Sequence, residues 1–208
     1  YEYGNPVVDS SFWSNGKVRS VGTKICDVKT GEWKHFNDDG QLTEKYFLND
    51  QGKKEGVYES YHENASLNAG GGQGKLKERG NYAANVKTGE WFGFHANGKS
   101  SYIQIYAAGI ATGKYASWYE NGQKESEGFY GIDGKKEGTC QEWYDNGSLK
   151  EKNKYSKGTL NGIHESYFSN GQMKERFEYS NGIETGKHEC WFENGQLKWV
   201  RVNNGNGL

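Results

Sequence analysis

Gly186-Lys187-His188-Glu189-Cys190-Trp191-Phe192-Glu193-Asn194-Gly195-Gln196-Leu197 runs from a glycine, through an aromatic pair, into an Asn-Gly turn and an aliphatic residue. The same order of residue types recurs along the chain. Asn-Gly or Asp-Gly stands at Asn15-Gly16, Asp39-Gly40, Asn97-Gly98, Asn121-Gly122, Asn146-Gly147, Asn170-Gly171 and Asn194-Gly195, at intervals of 24, 58, 24, 25, 24 and 24 residues. The interval of 58 is two periods plus an insertion. Self-similarity of this length marks a repeat architecture, in which each unit buries its apolar face only against its neighbours.

The opening glycine of each unit serves as an origin: Gly31, Gly56, Gly89, Gly113, Gly138, Gly162 and Gly186. Five residues on, every unit has an aromatic: Phe36, Tyr61, Phe94, Trp118, Trp143, Tyr167 and Trp191. Two residues on stand Trp33, Tyr58, Trp91, Tyr115, Cys140, His164 and His188, so the last three units lose the aromatic and are expected to pack their core differently. Leu or Met recurs at offset eleven, and Tyr at offset seventeen in Tyr106, Tyr130, Tyr155 and Tyr179.

Asn-Gly between strand-forming residues predicts a two-residue type I′ hairpin turn, because both central positions of that turn need positive φ. Each unit then holds two antiparallel strands, joined to the next by a four- or five-residue connection. Pairing across such a turn places offsets that sum to seventeen opposite each other. Offsets two, four and six then share a face with eleven, thirteen, fifteen and seventeen. In one unit that face holds His164, Phe168, Met173, Phe177 and Tyr179, while Glu165, Tyr167, Lys174, Arg176 and Glu178 stand on the other. The predicted fold is all-β: an elongated, single-layer antiparallel sheet of tandem hairpins, about 14 to 16 strands at two per repeat. The predicted units are a degenerate N-terminal repeat at 7–30, then 31–55, 56–88 with an inserted loop at 64–74, 89–112, 113–137, 138–161, 162–185 and 186–208. The glycine-rich insertion is expected to protrude.

Composition narrows the function. The chain carries 26 basic and 27 acidic side chains for a net charge of −1, so no global field draws it to nucleic acid or to anionic lipid. It is 33% hydrophobic, yet 15% aromatic, so rings must do most of the burying. No apolar run reaches the roughly 20 residues that span a bilayer. Three scattered cysteines, Cys26, Cys140 and Cys190, make no disulfide framework or CxxC pair. The chain begins at Tyr1 without Met, as removal of a signal peptide or lipoprotein leader, or a cut within a longer chain, would leave it, and a periplasmic or cell-surface location is slightly favoured over a cytoplasmic one.

The pattern G-x-W-x-x-[YW]-[YF]-x-N-G-x-L, matched best by Gly186 to Leu197, resembles the MORN-variant repeat of bacterial proteins, including the YwqK-type antitoxin family. The resemblance covers residues 7 to about 205. It implies antiparallel sheets without catalytic residues, which act as antitoxins or immunity partners of a cognate toxin, or as membrane-associated scaffolds.

No catalytic residue, cofactor or metal is assigned. Cys140, His164 and His188 share one offset, but ligands two strands apart stand roughly 9.5 Å from each other, too far for one zinc ion. No nucleophile elbow, P-loop or dinucleotide fingerprint is present. Glu44, Glu151 and Glu175 recur at offset thirteen, as a structural position does. The candidate binding residues are the ladder Phe94, Trp118, Trp143, Tyr167 and Trp191 with Lys150, Lys152, Lys174 and Arg176 beside it. Two readings of that ladder stand: a surface that grips a partner, or rings covered by lysine stems or turned by a bulge. The expected partner is a protein, a cognate toxin or effector, with no nucleic acid and only weak membrane contact. Open sheet edges allow a homodimer.

Overall fold

The computed structural model describes residues 4–63 and 74–203, so the insertion at 64–74 lies, apart from Gly74, outside the described residues. Those described contain seventeen strands and no helix. The chain divides into two compact units. The first contains β1 (Val7–Phe12), β2 (Val18–Ile25), β3 (Val28–Phe36), β4 (Leu42–Leu48), β5 (Lys54–Tyr61), β6 (Leu76–Ala83) and β7 (Val86–Phe94). Residues of β8 (Ser100–Ala107) belong partly to each. The second contains β9 (Ile110–Trp118), β10 (Lys124–Tyr130), β11 (Gly138–Trp143), β12 (Leu149–Ser156), the short β13 (Thr159–Leu160), β14 (Gly162–Tyr167), β15 (Met173–Ser180), β16 (Ile183–Trp191) and β17 (Leu197–Asn203). Within each unit, strands adjacent in sequence pair antiparallel, except that β13 and β14 both pair with β12. The all-β antiparallel class is as the repeat predicts.

The turns are exchanged relative to expectation. Only the glycine of each Asn-Gly pair has positive φ, as at Gly16 (83°) and Gly122 (91°). Gly16 N–H donates to Trp13 O and Trp13 N–H to Lys17 O, which closes a three-residue loop: a type I turn followed by a left-handed glycine. The two-residue turns with positive φ at both positions lie between repeats, at Cys26-Asp27, Ala84-Asn85, Ala108-Gly109, Lys157-Gly158 and Asn181-Gly182. These replace the longer connections expected there.

The extra residue of the Asn-Gly loop changes the register. Ser166 pairs with Glu175, but Tyr167 pairs with Met173, which leaves Lys174 as the extra residue of a β-bulge. The same shift follows Glu142, His35, Ser60 and Cys190. Offset eleven therefore moves to the face of the offset-five aromatic. Offset twelve goes the other way: Lys150 Nζ meets Glu142 Oε2, at offset four, at 3.3 Å. Lys150 and its equivalent Lys174 thus leave the Trp143 and Tyr167 side, against the sequence expectation, and Lys152 and Arg176 remain on it.

One face of each sheet holds the core as a run of stacked rings. In the first unit His35 stacks on Tyr46 at 5.5 Å, Tyr58 on Trp91 at 5.7 Å, and Tyr82 meets Trp91 edge-on at 5.1 Å. Trp33 and Trp91 are fully buried. Each lies flat between a glycine and a lysine. A Cβ on Gly22 would stand 2.3 Å from Trp33, and one on Gly80 2.1 Å from Trp91. From the other side Lys29 Nζ lies 3.9 Å and Lys87 Nζ 3.6 Å from the ring centroids. With Lys29 exposed and Lys87 half-buried, cation–π contacts of this kind contribute about 0.5–1 kcal/mol.

In the second unit the rings continue despite Cys140, His164 and His188. Phe177 stacks between His164 and His188 at 4.4 and 4.3 Å, and Trp199 covers His188 at 4.7 Å. The expected difference in packing is met by exchange: rings lost at offset two are replaced at offsets fifteen and thirteen. Cys140 fits against Gly128, where a Cβ would stand 2.6 Å from its Sγ.

The turn asparagine ties one repeat to the next. Its Oδ1 accepts the N–H two residues on, as from Gln123 to Asn121 at 2.8 Å. Its Nδ2 reaches a carbonyl of the following turn: Asn15 to Asp38, Asn121 to Asp145, Asn146 to Ser169 and Asn170 to Glu193, at 2.6 to 3.0 Å. Asn194 instead donates to its own Gln196. We expect Asn146→Ala to cost about 1 kcal/mol more than Asn194→Ala in denaturant unfolding, the worth of one hydrogen bond. Equal costs would mean the clip contributes nothing.

Candidate protein-binding face

The face opposite the ring stack carries three parallel rows within each unit. Near the Asn-Gly loops stand the offset-five aromatics. Tyr61 is 5% exposed, and Phe94, Trp118, Trp143, Tyr167 and Trp191 are half-buried. Lys124 Nζ lies 5.3 Å from the Trp143 centroid and pairs with Glu127 at 2.6 Å. The rings do share one face, but lysine stems and neighbouring strands cover much of them.

Along the middle runs a row of ion pairs centred on offset three. Glu59 lies between Lys45 at 2.7 Å and Arg79 at 3.6 Å, and accepts from the Tyr61 hydroxyl at 2.6 Å. Glu165 lies between Lys152 and Arg176, both at 3.7 Å. Burial, then Glu59, pushes the Tyr61 phenol up to about 12. Lys150, Lys152 and Arg176, cations predicted to be available to a partner, are therefore already matched to carboxylates.

Exposed apolar side chains form the third row, near the inter-repeat turns. They are Val28, Phe47, Val57 and Val86 in the first unit and Ile110, Phe129, Ile163 and Ile183 in the second, all at least 40% exposed. Ile132, at a loop tip, is 92% exposed. Sequence reasoning passed over this row because its residue types vary. Its signal was there: β-branched residues three positions before the origin at Val28, Val86, Ile110 and Ile183. Open hollows adjoin the row. One of about 340 Å³ is lined by Glu32, Phe47, Glu55 and Val57 among others, and one of about 410 Å³ by Lys152, Lys154, Ile163 and Glu178 among others.

Four hairpins match the MORN repeat variant: residues 29–50, 111–130, 136–157 and 160–181. The MORN-variant segments coincide with β3–β4, β9–β10, β11–β12 and β14–β15, one hairpin to each match. MORN repeats are a binding type of repeat, generally without catalytic residues. Among curated proteins the sequence finds no match. Among the described residues no group of three His, Cys, Asp or Glu side chains stands close enough to hold a metal ion.

The ring face, by contrast, is a structural site that titrates. Burial lowers the pKa of His35 and of His164 below the ordinary 6.5, despite Glu44 and Glu151 nearby. Glu184 is pushed up by burial but held below 4.5 on balance by Arg201 and His188. Arg201 Nη2 grips both its oxygens at 2.9 and 3.0 Å, and His188 Nδ1 lies at 2.9 Å. On the opposite face Glu59, also pushed up by burial, is held low by Lys45, Tyr61 and Arg79. In all four the folded pKa is depressed, so the stabilisation is present above the unfolded value and lost as pH falls. Thermal stability should decline first below pH 6.5, with the histidines, and again below 4.5, with the carboxylates. His164→Phe should weaken the first decline in a melting-temperature profile and leave the second. A profile flat to pH 4.5 would contradict the assignment.

Proposed function

We propose that the chain is a non-catalytic scaffold that binds a protein partner through the face opposite its ring stack. The exposed apolar row carries this reading, because contiguous exposed apolar residues mark partner sites. The row is bounded by matched ion pairs that exclude mispaired partners more than they add affinity. The partly covered aromatics Phe94, Trp118, Trp143, Tyr167 and Trp191, with Lys152 and Arg176, form its far margin. The MORN-variant hairpins support a binding role; that the partner is a toxin or effector, neutralised by direct cover, rests on the antitoxin resemblance of the repeat pattern.

Co-expression with the product of the neighbouring gene tests this. Expected is a stable complex that relieves that product's toxicity and is lost in Phe129→Asp with Ile163→Asp, while circular dichroism and melting temperature hold. A larger loss from Trp143→Ala with Trp191→Ala would move the contact to the aromatic margin. No complex, together with strong sedimentation on anionic vesicles, would replace the reading with a membrane scaffold.

A further inference from the structure

Asn-Gly pairs stand among the described residues at Asn15, Asn97, Asn121, Asn146, Asn161, Asn170, Asn181 and Asn194. Such pairs are chemically reactive. The backbone nitrogen of the glycine attacks the asparagine Cγ, the Cγ–Nδ2 bond breaks, and ammonia leaves with the proton that the backbone nitrogen gives up. Water then opens the cyclic imide to aspartate or isoaspartate, and no other reactant is needed. Glycine permits the attack because it has no Cβ to crowd its nitrogen. In a folded chain the rate depends on how firmly the two amides are held.

The backbone amide does not separate these turns. Gly16, Gly122, Gly147, Gly171 and Gly195 each donate to a carbonyl within the loop, and Gly182 donates to Leu160 O, all at 2.8 to 2.9 Å. Exposure does not separate them either, since Asn15, Asn121, Asn146, Asn170, Asn181 and Asn194 are all exposed. The side-chain amide does. In Asn15, Asn121, Asn146 and Asn170 both ends are bonded, Oδ1 to the N–H two residues on and Nδ2 to the following turn. Cγ cannot turn onto the glycine nitrogen until these bonds break. Asn194 keeps the first bond and replaces the second with a 3.3 Å contact to Gln196. Asn181 has neither: its side chain makes no hydrogen bond, and its backbone is left-handed, with φ 49°, in the turn between β15 and β16. Asn161 is half-buried, and Gly162 after it already pairs with Tyr179 in the β14–β15 ladder.

We propose that Asn181 is a site of spontaneous deamidation in the folded chain, and that the inter-repeat clip shields the asparagines that carry it. Isoaspartate there adds a methylene to the main chain inside a two-residue turn. Either product places a carboxylate two residues from Ile183, which is 56% exposed in the apolar row.

Peptide mapping by mass spectrometry tests this, with the full chain kept folded at mildly alkaline pH and the same chain incubated in guanidinium. The ratio of unfolded to folded rate gives the protection of each asparagine. Asn15, Asn121, Asn146 and Asn170 should be protected at least about tenfold more than Asn181, a factor of about 1.4 kcal/mol that two hydrogen bonds can supply. Asn194 should fall between. Isoaspartate in the Asn181 peptide, detected by enzymatic methylation, should accumulate while circular dichroism still reports the folded sheet. Equal protection of Asn181 and Asn146, or fastest loss at a clipped turn, overturns the proposal.

Discussion

Gly80→Ala is expected to lower the stability of the first unit by about 3 kcal/mol, the upper part of the range for overpacking a filled core. The melting temperature of the transition that carries this unit should fall by about 10 °C or more, given roughly 4–8 °C per kcal/mol for a unit near 100 residues. The cause is local. The added Cβ would stand 2.1 and 2.2 Å from Trp91 Cδ2 and Cε2, and a retreat of the ring would displace the Lys87 ammonium, 3.6 Å from its other face. Tyr82, Tyr58 and Tyr106 meet it at 5.1, 5.7 and 6.2 Å. In the double variant Gly80→Ala with Trp91→Ala the methyl enters the space the ring leaves. Its cost should fall well short of the sum of the single costs, a coupling that only contacting residues show. Additive costs would mean that the glycine does not serve as the seat of the ring.

Trp33→Ala should cost about 4 kcal/mol, whereas Trp143→Ala should cost about 1 to 2 kcal/mol, as loss of a buried large side chain exceeds loss of a half-covered one. Trp33 is fully buried over Gly22, donates from Nε1 to Thr30 O at 3.2 Å and is capped by Lys29. Trp143 keeps one side open beneath a single lysine. Denaturant unfolding of the two variants compares the faces directly. Equal costs would place the packed core on both faces and leave neither free for a partner.

The period, the all-β class and the two-stranded unit were legible from the sequence because turn glycines and aromatics recur at fixed offsets. The turn geometry was not. Asn-Gly at Asn121-Gly122 and Lys-Gly at Lys157-Gly158 both supply a left-handed glycine, and what separates them is whether the preceding residue also has positive φ. That depends on the loop length that the pairing of neighbouring strands selects, which spacing alone does not reveal. The bulge at Lys174 follows from the loop, and with it Lys150 and Lys174 change face. The seats of the core rings, Gly22, Gly80 and Gly128, read in sequence as weak strand residues. Their role appears only when a residue of the next repeat lies on them, a Trp ring at Gly22 and Gly80 and the Cys140 thiol at Gly128. The aliphatic row was hidden for a related reason: its members come from both strands of a hairpin and from either side of the origin glycine.

Three thiols report most directly on the division of each sheet into a packed face and an outward face. Cys140 and Cys190 lie buried on the ring side, and Cys26 is exposed in an inter-repeat turn. Titration of the folded chain with an aromatic disulfide reagent should release one equivalent promptly, and the other two only as denaturant unfolds the sheets. Prompt reaction of all three thiols in the folded chain would contradict the packing described for the ring face.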